Sequence, residues 1–417
     1  MANAFKIYLS ALVFLFVGTV FVFNPFSAVG TFELPKMIVL LLAVGTMNIL
    51  ATFYIGQKFF VKLPHIYMWM GVLLIGQLVA FIFSADHLVS LVGTHYRHQG
   101  LLTYIHFILL SLHSYWFFTL FPAEQTKIVW RWIVGIGAGA CVFAIISAFI
   151  PGTLFSTAFF EQRIYGTFGN PNYLAVFILV MLPFVFFSID LKRLSKVGLA
   201  ILFLTTLFFT GSRTALLVVG AVFGVYWAWY LWFHNKNGFF VGSILVILSL
   251  GILVIISSSS QTDNAFWERF SWQDKAFTSF ETRLTFWQAG VEMYLDRPLV
   301  GHGQDMIQAH IMPYMPAHVQ ENDLFYVDRV HSEPLDMLLM YGPLTVLGYL
   351  GFFGLALFGN KCNVFVADKY WAILATKLSI IMLSLFLLIN FSTITTNVFL
   401  FFLGGYLVSQ NTLSKKH

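Results

Sequence analysis

Apolar and polar positions fall along this chain in long blocks rather than in the short periods of a soluble fold. Runs without strong charge cover residues 7–23, 37–56, 66–84, 101–121, 128–150, 173–189, 197–210, 214–233, 239–257, 334–358, 370–389 and 392–409. Most come close to the roughly 20 residues that a helix needs to cross about 30 Å of hydrocarbon. The pattern predicts an all-α transmembrane bundle of about twelve spans, forming a single membrane domain over residues 1–417. The first run is too long for a signal-peptide core and no small-residue cleavage site follows it, so it reads as a retained helix. Lys377, a turn or two inside the eleventh run, reads as a snorkelling side chain.

The long interruption is 258–332, between the ninth and tenth runs, which holds ten of the chain's 18 acidic residues. It is too long for a passive link. Within it Leu284, Trp287, Val291 and Tyr294 recur at helical spacing, which predicts an amphipathic helix over 281–295 lying on the membrane surface. Pro298 ends it. Lys and Arg cluster in the connections that share a side with both termini, among them Lys192, Arg193, Lys196, Lys415 and Lys416. The short connections opposite hold only Lys36, Arg97, Arg163 and Arg213. A cytoplasmic excess of positive charge then puts both termini in the cytoplasm and the 258–332 loop outside.

Composition agrees with the pattern. The chain is 59% hydrophobic and only 10% charged, against roughly 25% charged in a soluble domain, so it cannot cover itself with polar surface. A net charge of +5 would suggest nucleic acid in a soluble protein, but here the cations sit between apolar runs and set topology, which argues against a nucleic-acid partner. Cys141 and Cys362 fall in different expected compartments and lack metal-ligand spacing.

Four outer segments combine polar residues with the start of an inward-running helix: 93–100, 163–172, 211–214 and 328–334. Helix starts present unpaired N–H groups and partial positive charge, and so gather anions. Arginines beside them sharpen the preference, because a guanidinium holds two phosphate oxygens at once. Converging, the four ends would make an outward-facing anion pocket suited to a lipid pyrophosphate. The candidates are Arg213 and Arg283 for the anion, with Arg97 and Arg163 beside them. Arg213 and Arg283 read equally as interfacial arginines reaching lipid headgroups. His331 stands just before Pro334 at the mouth of the tenth run, where positive helix ends and arginines would push its pKa down and leave a neutral imidazole, as a general base requires. An interfacial histidine without a task is the competing reading. Glu333 and Asp328 are close enough in sequence to orient the ring or to replace it. Asn170 and Asn172 read as a cap for the sixth span, with amides that also suit sugar or phosphate. His302, Asp305, His310 and His318 share one loop, but their spacing matches no recognised zinc pattern, so no metal is expected. Gly301-His-Gly303 reads as a tight turn.

These residues resemble the O-antigen ligase and O-antigen polymerase superfamily of membrane glycosyltransferases. The resemblance rests on Arg213-x-x-x-Leu217, on the Arg283-x-x-x-Trp287 segment running to Pro298-Leu-Val-Gly301-x-Gly303, on His331-Ser332 followed by Gly342, and on residues 166–172 before the sixth span. It implies about twelve helices, a polyprenyl-pyrophosphate-linked glycan as donor, and transfer at the outer face of the bacterial cytoplasmic membrane. By it, Arg213 and Arg283 hold the pyrophosphate while His331 activates an acceptor hydroxyl for inverting attack, without cofactor or metal. The acceptor would be lipid A core, a growing polysaccharide or a protein, which separates ligases from polymerases and protein O-oligosaccharyltransferases. After Gly342 the chain reads Pro343-Leu344-Thr345, where ligases often have a second glycine, and this departs from the ligase branch. A lipid-linked glycan transporter is the rival class. Acidic residues deep in the spans, common in proton-coupled transporters, are missing from the predicted runs.

Overall fold

The computed structural model describes residues 2–26, 30–55, 63–150, 163–188, 191–234, 275–320, 327–359 and 367–413. All regular structure among them is helical. In chain order the longer elements are α1 (Ala2–Phe21), α2 (Glu33–Leu50), α3 (Met68–Ile82), α4 (His87–Val92), α5 (Leu101–Leu120), α6 (Ala123–Ala148), α7 (Pro171–Phe187), α8 (Arg193–Phe209), α9 (Arg213–His234), α10 (Lys275–Asp296), α11 (Glu333–Phe358), α12 (Ala367–Leu387) and α13 (Ile394–Leu413). Eleven of the twelve apolar runs fall on these helices; the run 239–257 lies outside the described residues. Among the described residues, seven helical stretches are long and apolar enough to cross a membrane: Asn3–Phe21, Glu33–Phe53, His65–Ile82, Leu101–Leu120, Ala123–Ala148, Glu333–Phe358 and Tyr370–Leu387. Pro171–Phe187 and Arg213–Trp229 are shorter apolar helices. This is a multi-pass membrane protein.

Large apolar side chains such as Leu42, Ile75, Ile146, Val225 and Leu350 are exposed around the bundle. A soluble surface tolerates no such apolar coat, whereas lipid is its natural solvent. Inside, association in lipid depends on close packing and hydrogen bonds, because hydrocarbon offers no hydrophobic drive between helices. The two tightest seams show both. Along α3 and α11 a side chain at Gly76, Gly348 or Gly351 would collide with Thr345, Leu73 or Trp69 respectively. Between α5 and α13, Gly405 abuts the Ser111 carbonyl, and Ser114 Oγ donates to the Phe402 carbonyl at 2.6 Å. Tyr8, His113 and Asn48 join α1, α5 and α2 through side-chain hydrogen bonds, the His113–Asn48 link being 2.9 Å.

α11 is broken rather than straight. Gly342 sits at φ 73°, ψ 177° and Pro343 follows it. Pro343 has no N–H to give to the Leu339 carbonyl four residues back, so the break frees backbone acceptors inside an apolar helix. The chain satisfies them from outside: the His302 N–H donates to Leu339 O at 2.8 Å and the Gly303 N–H to Met340 O at 2.9 Å. Gly301-His-Gly303 is therefore a cap for the broken helix as well as a turn. Its glycines lie at φ 70° and 104°, and a Cβ at Gly301 would strike the Met340 backbone. His302 Nε2 lies 3.0 Å from the Met293 carbonyl, which ties the same loop to α10.

Helix ends gather at one end of the bundle. The α1 carbonyl Val20 O accepts from Thr167 Oγ1 at 2.5 Å, the Glu33 carboxylate at the start of α2 accepts from Ile394 N at the start of α13 at 3.0 Å, and Gln99 before α5 donates to Ser392 O at 3.1 Å. The starts of α7, α9 and α11 and the end of α8 join them, as described next. The chain's two ends, the start of α1 and the end of α13, lie at the opposite end.

Candidate active site

The segment 327–332 that carries His331 is held almost residue by residue. Arg329 is 2% exposed and forms an ion pair with Asp305, also buried. Asp305 in turn accepts from the backbone N–H of Thr94 at 3.0 Å and of Gln99 at 3.1 Å, so one carboxylate locks the 94–99 loop to the histidine segment. Asp328 pairs with Arg97, and the Val330 N–H donates to Asp336 Oδ1 at 2.8 Å. Removing one partner of such a buried pair leaves a bare charge in low dielectric, so the segment has little freedom. Among the described residues, three non-glycine residues adopt left-handed backbone, and all belong to this corner: His98 at φ 52°, Asp305 at 58° and His331 at 59°. Strain of about 1–3 kcal/mol at such a position persists only where the surroundings over-determine it.

The His331 imidazole packs against two rings. Phe286 lies 6.0 Å away at 16° between planes, and Phe391 lies 5.0 Å away. Phe286 sits on α10, three residues after Arg283. Burial, reinforced by the Arg283 guanidinium, pushes His331 from 6.5 down to about 4; Asp328 opposes this and Arg97 adds to it. The imidazole is thus neutral at pH 7, with burial as the first cause and the arginines second. Burial alone would raise the Asp328 carboxyl, but Arg97 overrides it and holds the group below the usual carboxylate range.

Arg97 lies against the same aromatic wall. Its guanidinium is 4.4 Å from the Phe391 ring centroid and 5.7 Å from that of Tyr173. It gives Nε to Asp328 and Nη1 to the Tyr173 hydroxyl. Beside it a cavity of about 410 Å³ is walled by Glu33, Arg97, Asp328 and aromatic side chains.

The remaining candidates occupy the same end of the bundle. Arg163 is buried, with Nε donating to Thr210 O at 2.5 Å and Nη2 to Asn172 Oδ1 at 3.1 Å. Asn170 caps α7 by accepting from the Asn172 N–H at 2.8 Å. Gly211, at φ 60°, turns the chain from α8 into α9, and its missing Cβ makes room for the Arg163 side chain at 3.2 Å. Arg213 opens α9 two residues later. Arg163 therefore braces the turn that presents Arg213. Glu333 turns away from the imidazole: its carboxylate accepts from Ser392 N at 2.7 Å and Ser392 Oγ at 2.9 Å. Among the loop histidines, His302 and His310 place their rings 5.1 Å apart, while Asp305 is committed to Arg329; the side chain of His318 lies outside the described residues. No group of three or more His, Cys, Asp or Glu side chains arranged to hold a metal occurs among the described residues.

The structure thus brings His331, Arg283, Arg97 and Asp328 to one place, sets Arg163, Asn172 and Arg213 along one turn, and assigns Glu333 to the 390–393 loop. Sequence reasoning passes over Arg329, Phe391 and Glu33, and weighs Asp305 only as a metal ligand, whereas it is the partner of Arg329. The signal available for Glu33 and Arg329 is that each is a charge next to an apolar run, and for Phe391 there is none.

Fold and site together describe a multi-pass membrane protein that gathers a histidine and several arginines among its helix ends. Residues 198–359 match the family model described as O-antigen ligase, which supports membership of the O-antigen ligase superfamily. The matched stretch runs from within α8 past the end of α11 and contains Arg213, Arg283, His331 and Gly342, but not Arg97 or Arg163. No curated protein matches the chain.

Proposed function

We propose that this protein is a glycosyltransferase that moves a glycan from a polyprenyl-pyrophosphate donor to an acceptor hydroxyl at the outer face of the cytoplasmic membrane. The observation that carries the reading is a half-buried imidazole, neutral at pH 7, set beside Arg283 at a gathering of helix ends. In the reaction His331 takes the proton of the acceptor hydroxyl as its oxygen attacks the anomeric carbon from the face opposite the pyrophosphate. The bond from that carbon to the pyrophosphate oxygen breaks, and the electron pair leaves with the pyrophosphate, so the configuration inverts. Arg283 and Arg213 stabilise the charge that develops on the leaving group, as preorganised cations do in a site shielded from water. That is the electrostatic part of the work a divalent metal does elsewhere, so the mechanism is metal-independent. The proton then passes from the imidazolium to solvent.

The test is transfer in vitro, with purified protein, a polyprenyl-pyrophosphate glycan and candidate acceptors. Removing the base is expected to lower kcat by about 10²–10⁴ in His331→Ala, and a chelator is expected to change nothing. Full transfer by His331→Ala, or loss of transfer with chelator, would end this mechanism.

A further inference from the structure

We infer that the cavity between α2, the 94–99 loop and the start of α7 is a sugar-binding subsite for the acceptor glycan, holding a neutral saccharide unit next to the one whose hydroxyl faces His331. The inference rests on the glycan-transfer reading and adds to it a place and a chemistry for the second substrate.

The cavity measures about 410 Å³, within the range of small-molecule sites, about 300–1,000 Å³. Its wall combines Glu33, Arg97 and Asp328 with the rings of Tyr96, Phe168 and Tyr173. That mixture excludes the other ligands on hand. A diphosphate would meet two carboxylates and a guanidinium already neutralised by one of them. The nearby Lys36 does not redress the balance, because it is 1% exposed and paired with Glu33 at 3.5 Å. An isoprenoid tail would strand the charged groups in hydrocarbon, at a cost of several kcal/mol each.

A sugar satisfies every wall. Arg97 spends Nε and Nη1 on Asp328 and Tyr173, which leaves Nη2 as a donor. Asp328 spends one oxygen on Arg97, which leaves the other as an acceptor. A hydroxyl both donates and accepts, so two neighbouring hydroxyls match this carboxylate and guanidinium side by side. The aromatic rings take the apolar C–H face of the sugar ring.

The position selects the acceptor over the donor. His331 contacts Phe286, which shares α10 with Arg283, and Phe391, which also carries Arg97. A pyrophosphate held by Arg283 would come in along α10. The cavity opens beside Arg97 and shares Asp328 with the histidine segment, so its occupant approaches along the wall that Arg97 and Phe391 form.

The experiment uses full-length protein in lipid nanodiscs and radiolabelled trisaccharides of glucose, galactose and N-acetylglucosamine. Wild type is expected to bind at least one of them. Asp328→Asn removes the acceptor charge, and Tyr96→Ala removes a ring that is 44% exposed, so it leaves the fold intact. Asp328→Asn is expected to weaken that trisaccharide by about tenfold or more, since a hydrogen bond to a charged group contributes about 1.5–3 kcal/mol, and Tyr96→Ala to weaken it severalfold through loss of the ring's contact with the sugar face. Because Asp328 also holds the histidine segment, the donor control is read in Tyr96→Ala, where binding of farnesyl-diphosphate-linked N-acetylglucosamine should stay within about twofold of wild type, well under the tenfold that 1.4 kcal/mol represents. Wild type that binds none of the three trisaccharides, variants that bind them as tightly as wild type, or a parallel loss of the diphosphate probe in Tyr96→Ala each overturn the inference. Transfer that persists in His331→Ala while trisaccharide binding still depends on Asp328 and Tyr96 would overturn the catalytic assignment and leave the subsite standing.

Discussion

At the scale of single residues the site depends on what burial does to one imidazole. His331 titrates at about 4 instead of 6.5 in the free protein, so between those values it is neutral in the fold and would be protonated in an unfolded chain. Its contribution to stability is therefore complete above pH 6.5 and lost as pH falls toward 4. The same shift fixes the acid limb of activity. The pH profile of kcat/KM reports the free enzyme, and its acid inflection is expected near 4. Arg283→Ala removes a cation that opposes protonation, so the inflection should move upward, toward 6.5. A bound pyrophosphate brings negative charge that favours the imidazolium in the same sense, so the profile of kcat should inflect at higher pH than that of kcat/KM. A wild-type kcat/KM inflection at an ordinary histidine value would refute the half-buried, arginine-flanked imidazole.

At the scale of elements, α11 is the instructive case. The Gly342-Pro343 pair is a breaker signal, but the run around it is apolar throughout, and pattern alone predicts one unbroken span. What makes the break tolerable is a pair of N–H groups from residues 302 and 303, some forty positions earlier, and no local pattern announces such a partner. The same limit explains the rest of the site. Helix starts with arginines are local features, so Arg97, Arg283 and His331 are legible. The Asp305–Arg329 pair, the Glu333–Ser392 clasp and the Phe391 wall join segments distant in the chain, and each residue alone looks ordinary. The eleven helical runs are legible because the bilayer imposes one length on all of them. The break also makes a prediction. Gly342→Ala would force a Cβ onto the Leu299 carbonyl at a positive φ, where strain is about 1–3 kcal/mol before any clash. Its melting temperature in detergent should fall clearly, and transfer with it. An alanine variant that melts and works like wild type would mean that the cap is dispensable.

At the scale of the whole molecule, the gathered helix ends stand at the pole opposite the chain's two ends. The distribution of Lys and Arg predicts both termini in the cytoplasm, an orientation that would turn the site outward. Ala309, exposed in the loop after the Gly301–Gly303 cap, offers a readout: Ala309→Cys, in a background without Cys141 and Cys362, should react with a membrane-impermeant maleimide on intact cells. Protection on whole cells with labelling after lysis would invert the orientation and move the chemistry to the cytoplasm.

The clasp around residues 390–394 has a bearing on how the protein is made. Phe391 backs both His331 and Arg97, Ser392 holds Glu333, and Ile394 meets Glu33, yet this stretch leaves the ribosome after the histidine and the arginines it seats. A nascent polypeptide halted before it would carry the histidine and the arginines without the ring that seats them. Products aborted before residue 390 should therefore be inert toward lipid-linked sugars, and only a chain extended past residue 394 would be armed.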